Sequence, residues 1–222
     1  MFLHSLKVYL VIFALLFSSL FSIKLLANTE QLGQSLYQQC AACHGVEGQG
    51  IEQLNTPAIA TQYAWYITRQ LSNFSKELRG AHEEDVLGKQ MVNIAKPLNL
   101  SNELAPLSAY IESLPAVKSI NQSKIASNAN SLKNGSRYYQ GKCGACHGGQ
   151  GQGNKLFNAP KLNILSSKYL LKQMENFSAG IRGTAKEDKF GRQMAMMAKT
   201  TSGQELKDII YYLSTITDTK AK

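Results

Sequence analysis

Two short stretches constrain this chain more than any other feature: CAACHG at residues 40–45 and CGACHG at residues 143–148. Each sets two cysteines three apart with a histidine directly after the second, and together they hold all four cysteines of the chain. On a helix, positions i, i+3 and i+4 share a face. Cys40, Cys43 and His44 therefore point one way, as do Cys143, Cys146 and His147. Two thiols on such a face can each form a thioether with a porphyrin vinyl group while the imidazole meets the iron from below. That arrangement employs all three side chains, and C-x-x-C-H is the attachment signature of haem c. Competing uses leave residues idle. A zinc site built from the four thiols joins positions 103 residues apart and gives neither histidine a role. A thioredoxin-like dithiol expects a βαβ setting, which the hydrophobic pattern lacks.

The motifs belong to a longer repeat. Residues 40–91 align with residues 143–194 without a gap, with 22 identities in 52 positions. Coincident pairs include Pro57/Pro160, Tyr66/Tyr169, Phe74/Phe177, Arg79/Arg182 and Met91/Met194. Outside that block the register shifts by one, so Gly33 and Tyr37 match Gly135 and Tyr139, and Tyr110 matches Tyr212. Two copies of ~90–100 residues are of domain size and too few for a solenoid. The boundaries read as 28–118 and 119–222, the second domain including a Ser/Asn/Lys-rich linker at 119–131.

Apolar spacing within each copy is helical throughout. Short helices are predicted before each cysteine pair, over 30–39 and 132–140, and second helices over 62–74 and 167–177. Shorter turns should lead to Met91 and Met194. Final helices should begin at Ser101 and Ser202, the latter with a capping box completed by Glu205. The fold class is all-α.

An iron held by histidine on one side calls for a sixth ligand. Past the N-terminal segment, Met91 is the only methionine of the first copy, and it lies 47 residues after His44. Met194 lies 47 residues after His147, so register alone selects it from Met174, Met196 and Met197, which read as core or haem-contact residues. His82 is the spare imidazole, but the second copy has Ala185 there, so it reads as a loop residue.

Residues 1–27 carry Lys7 ahead of an apolar run from Val8 to Phe21, with Ala27 as a small residue for cleavage. The pattern is that of an export signal, the run being shorter than the ~20 apolar residues of a spanning helix. An uncleaved anchor is the alternative. Charge is divided: residues 28–118 hold 6 Lys/Arg against 9 Asp/Glu, while residues 119–222 hold 16 against 6. Such asymmetry concerns partners and encounter rates. For an exported chain, an acidic protein surface suits the basic half better than nucleic acid does.

With two C-x-x-C-H units, each followed by an R-G…G-x-Q-M segment and a final helix ending Y-[IL]-x-x-[LI], the chain resembles the di-haem cytochrome c4 family over essentially its whole mature length. The resemblance implies two tandem class I cytochrome c domains related by a pseudo-twofold axis, in the periplasm, carrying two covalently attached haem c groups. It implies axial pairs His44/Met91 and His147/Met194, thioethers from Cys40, Cys43, Cys143 and Cys146, and Pro57 and Pro160 beside the carbonyls that orient the imidazoles. Tyr66, Tyr169, Arg79 and Arg182 become candidates for contact with haem propionates. Gly33 and Gly135 fit a close crossing of first and last helices.

A His/Met iron has no open site for substrate. The implied function is transport of single electrons, from a membrane quinol-oxidising complex to a terminal haem–copper oxidase. The alternatives are an electron-accepting subunit of a dehydrogenase, or a di-haem enzyme acting on sulfur compounds or peroxide.

Overall fold

A computed structural model describes residues 28–116 and 129–216. The expected export signal (1–27) and most of the expected linker lie outside the described residues. The described part of the chain is helical, with two isolated β-bridges, Ile51–Thr56 and Asn154–Ala159, at equivalent places in the two repeats. None of its helices is long and apolar enough to cross a membrane.

The first repeat contains α1 (28–44), α2 (Ala64–Ser75), α3 (Val86–Ala95) and α4 (Leu104–Ser113). The second contains α5 (Ala129–Lys142), α6 (Gly144–His147), α7 (Ser167–Ser178), α8 (Lys189–Lys199) and α9 (Gly203–Thr215). Helix α5 begins inside the expected linker, which therefore ends before Ala129. Instead of short turns, the segments bearing Met91 and Met194 form full helices. Their caps explain the motif around them. Asp85 and Asp188 accept hydrogen bonds from the backbone N–H of Gly88 and Gly191, both at 3.0 Å. A Cβ on Gly88 would stand 2.2 Å from the Asp85 carboxylate, and one on Gly191 2.1 Å from that of Asp188. Asp-x-x-Gly is thus a helix start in which only glycine leaves room for the cap.

Helix α9 begins as expected: the Ser202 hydroxyl accepts from Glu205 N–H at 3.2 Å, and the Glu205 carboxylate accepts from Ser202 N–H at 2.8 Å. Helix α4 starts three residues later than Ser101. The Asn99 side chain accepts from the backbone of Ser101 and Asn102, and Glu103 turns back to accept from Asn99 N–H at 2.8 Å. The chain makes a side-chain-closed turn there before the helix begins.

In each repeat the first and last helices cross closely. A Cβ on Gly33 would lie 2.4 Å from the Pro106 carbonyl oxygen, and one on Gly135 2.0 Å from that of Asp208. Beside each crossing, Tyr37 and Tyr110, and Tyr139 and Tyr212, sit with ring centroids 5.5 Å apart. Tyr37 and Tyr139 donate to the carbonyls of Gly45 and Gly148 at 2.6 Å, tying the crossing to the loop after each histidine. Gly135→Ala is expected to push α5 and α9 apart and destabilise the second domain by about 1–3 kcal/mol, read as a lower thermal midpoint for that domain alone.

The cores differ in size. Around Tyr37, Leu71, Phe74, Leu107 and Ile111 the first domain has a continuous buried cluster. In the second, the corresponding cluster is Tyr139, Leu170, Ile209, Ile210 and Leu213.

Candidate haem-binding sites

Each C-x-x-C-H segment sits at a helix end. In the first domain α1 runs unbroken to His44. In the second, α5 ends at Lys142, Cys143 leaves helical geometry, and the one-turn α6 carries on to His147. The first cysteine of each pair is half-buried and the second exposed. Burial pushes the Cys40 and Cys143 thiols up to about 11.

The histidines are the buried members, 7% and 6% exposed for His44 and His147. Burial lowers both imidazoles below the ordinary value and outweighs the opposing backbone hydrogen bond. That bond runs from Nδ1 to the carbonyl oxygen of Pro57 (2.9 Å) in one domain and of Pro160 (3.0 Å) in the other. A carbonyl can only accept, so Nδ1 carries the proton and Nε2 presents its lone pair. The acceptor is the proline's own carbonyl.

Met91 is half-buried and packs on the first domain's core together with Cys40 and Ile59. Met194 is half-buried at the equivalent position of α8. Met196 and Met197 are 64% and 37% exposed, so of the two roles expected of them, core or haem contact, the protein core is not where they lie. Met196, two residues beyond Met194, has rotated off that residue's face of the helix, whereas Met197, three residues beyond, stays near it and is the less exposed of the two. Met174 is half-buried. His82 stands in the loop before α3, its Nδ1 accepting from Glu84 N–H at 3.2 Å.

Arg79, Arg182, Tyr66 and Tyr169 meet at the interface between the domains. Arg79 donates to Tyr169 of the other domain at 3.0 Å, and Tyr66 is the phenol that acts on the Arg182 charge in the reciprocal position. Both arginines are buried, and among the described residues their hydrogen bonds go to amide and phenol oxygens rather than to carboxylates. Each stacks on its own domain's phenylalanine, Arg79 on Phe74 at 4.5 Å and Arg182 on Phe177 at 4.4 Å. Burial would raise the Tyr169 phenol, but the charges of Arg79 and Arg182 and the bond from Arg79 hold it below its ordinary value. Two buried cations that draw a phenol toward ionisation form an anion-seeking cluster.

A second contact across the interface has no repeat counterpart. Arg69 lies over Trp65, Tyr66 and, from the other domain, Phe190, with its carbon 4.4 Å from the last ring's centroid. It donates to the Asn158 carbonyl at 2.8 Å. Gln62 pairs through its amide with the backbone of Lys161, 3.1 Å in both directions. Lys168 and Lys172 replace Trp65 and Arg69 in the second repeat. On that side the domains leave a groove of about 320 Å³ lined by Asn55, Leu87, Lys168 and Lys172. One edge of the interface is thus clamped and the other open. The repeat carries no sign of the clamp, because Trp65 and Arg69 have no counterparts in the second copy.

The donor set of each domain fits a haem c group: two thiols three residues apart, an imidazole with Nε2 free and its tautomer fixed, and a thioether 47 residues on. The Nε atoms of Arg69, Arg79 and Arg182 are buried without a partner and are available to an acidic substituent.

Comparison with known proteins agrees. The "Cytochrome c" family model matches residues 30–115 and again residues 132–217. Cytochrome c4 of Stutzerimonas stutzeri is 30% identical over 160 residues, covering 70% of this chain and 75% of that protein. The thiosulfate dehydrogenase electron acceptor of Stutzerimonas stutzeri (strain A1501) is 27% identical over 198 residues, covering 83% and 86%. The crystal structure of reduced recombinant cytochrome c4 from Pseudomonas stutzeri superposes with a TM-score of 0.64 at 25% identity, covering 84% of this chain and 98% of that one.

Proposed function

The chain belongs to the cytochrome c family, in its di-haem cytochrome c4 branch, and on that premise we propose that it carries single electrons outside the cytoplasm, from a quinol-oxidising complex to a terminal haem–copper oxidase. Residues 1–27 serve as the export signal, and residues 28–118 and 119–222 form the two electron-carrying domains. Cys40 and Cys43 anchor one haem c, Cys143 and Cys146 the other. His44 with Met91, and His147 with Met194, would hold the two irons. The observation that carries this reading is the duplicated site: in both domains a buried imidazole donates through Nδ1 to a proline carbonyl, at 2.9 and 3.0 Å.

When bound, each haem c supplies a one-electron iron couple. The chain's own groups set the conditions for it. The proline carbonyls lock ring orientation and tautomer, so Nε2 needs no rearrangement when the charge changes. Burial favours the neutral imidazole, the form a metal ligand requires. A methionine sulfur as second protein ligand would favour the reduced state and leave no open position for a substrate. Arg79 and Arg182, buried beside both domains, offer donors to propionates and further favour the reduced state.

Partner choice follows from charge. The second domain, with 16 Lys/Arg against 6 Asp/Glu over 119–222, docks an acidic surface, and the first domain, with 6 against 9 over 28–118, faces a different partner. Electron transfer through the second domain should slow severalfold or more between ~0.01 and ~0.15 M ionic strength, as screening shortens from about 30 to 8 Å. Stopped-flow oxidation of the reduced protein at a series of salt concentrations measures this. A rate that barely changes removes the steering argument.

A second reading has one observation in its favour, the similarity to a protein named for accepting electrons from thiosulfate dehydrogenase. In that reading the chain accepts electrons from a dehydrogenase and has no substrate site of its own. Reduction of the purified protein by quinol-oxidising membranes, with none by thiosulfate plus a dehydrogenase, supports the first reading. The reverse result supports the second, and consumption of thiosulfate or peroxide by the chain alone contradicts both.

A further inference from the structure

Two glutamines in the interface hold positions that the haem-binding roles do not explain. Gln70 and Gln173 are equivalent in the repeat, and each receives two hydrogen bonds through a single Oε1 atom. Gln70 accepts from Arg79 of its own domain at 2.6 Å and from Arg182 of the other at 3.1 Å. Gln173 accepts from Arg182 of its own domain at 2.5 Å and from Arg79 of the other at 3.2 Å. The four side chains close a ring across the pseudo-twofold axis, with Gln70, Arg79 and Arg182 buried and Gln173 half-buried. A carboxylate at either glutamine would cancel one of the two positive charges, and repulsion between the arginines argues for one. The chain has a neutral amide at both places, so the cluster keeps its full positive charge.

We propose that Gln70 and Gln173 are positioning residues for electron transfer: each shares one oxygen between the arginines of both domains, so the same two fixed charges act on both redox centres. It rests on the haem assignment above and deepens it. Its consequence is unusual for residues confined to one domain each. A charge change at either glutamine is felt at both centres, because its oxygen lies within 3.2 Å of a guanidinium from each domain. Fixed positive charge favours the reduced form, so adding a carboxylate lowers the potential.

The test is redox titration of the haem-loaded Gln70→Glu and Gln173→Glu proteins, with each centre followed by its own NMR signals. Each single variant is expected to lower both midpoints, by at least a tenfold change in the reduced-to-oxidised ratio at fixed potential, or 59 mV for one electron. Should a glutamate variant lose the native optical spectrum, Gln70→Met and Gln173→Met carry the test, since loss of the shared acceptor must displace both midpoints. Movement of the variant's own domain alone, or of neither, overturns the proposal. If the unmodified protein shows no pair of one-electron midpoints, the haem reading fails instead.

Discussion

Met194→Leu is expected to leave both haem groups attached, turn one of them high-spin, and lower its midpoint by on the order of 0.1–0.3 V, within the ~0.8 V that axial ligands command. Leucine matches methionine in volume, so packing changes little, and the loss falls on the iron–sulfur bond. Met91→Leu should do the same in the first domain. The control is Met196→Leu, two residues along α8 and 64% exposed, which should leave spectrum and potential unchanged. Optical spectra of oxidised and reduced protein separate these cases. A Met194→Leu protein that keeps two low-spin centres with unaltered midpoints would remove Met194 from the ligand set.

Replacing Cys143 and Cys146 together by serine should cost the protein one covalent haem and, with it, the second domain's fold. The reason is the size of the core. The contiguous buried cluster of the second domain is Tyr139, Leu170, Ile209, Ile210 and Leu213, smaller than that of the first. A domain in that position relies on its cofactor as core. The first domain's cluster is larger and runs from Tyr37 to Leu114. The matching Cys40→Ser/Cys43→Ser variant should therefore retain more of its helix signal. Mass spectrometry counts the groups, and far-UV circular dichroism during heating shows which transition has gone. Equal loss from the two variants would mean that core size does not decide.

Much of this organisation was legible in the sequence because it depends on side chains acting within a turn or two of their own position. The Cys40–His44 and Cys143–His147 spacing, the Ser202–Glu205 capping box and the stripe of Leu107, Ile111 and Leu114 all concern neighbours on one helix face. The repeat added what a single copy would not have shown, selecting Met194 from four methionines in the second half. Where local reading failed, a competing local bond was often responsible: Asn99 captured the amides of Ser101 and Asn102 and delayed α4. Interdomain chemistry is another matter. Arg79 and Arg182 drew notice as a repeated pair, but their partners Gln173 and Gln70 lie 94 and 112 residues away. No periodicity links such positions. The Arg69–Phe190 contact lacks even the repeat as a clue.

Optical redox titration of the purified protein, with its mass determined on the same sample, tests the central claim most directly. Two haem groups beyond the polypeptide mass, both low-spin, with a sulfur-to-iron band and two one-electron midpoints, are the predicted result. Colour that is lost on acid–acetone extraction, a mass short of two groups, or a centre without sulfur ligation would contradict it.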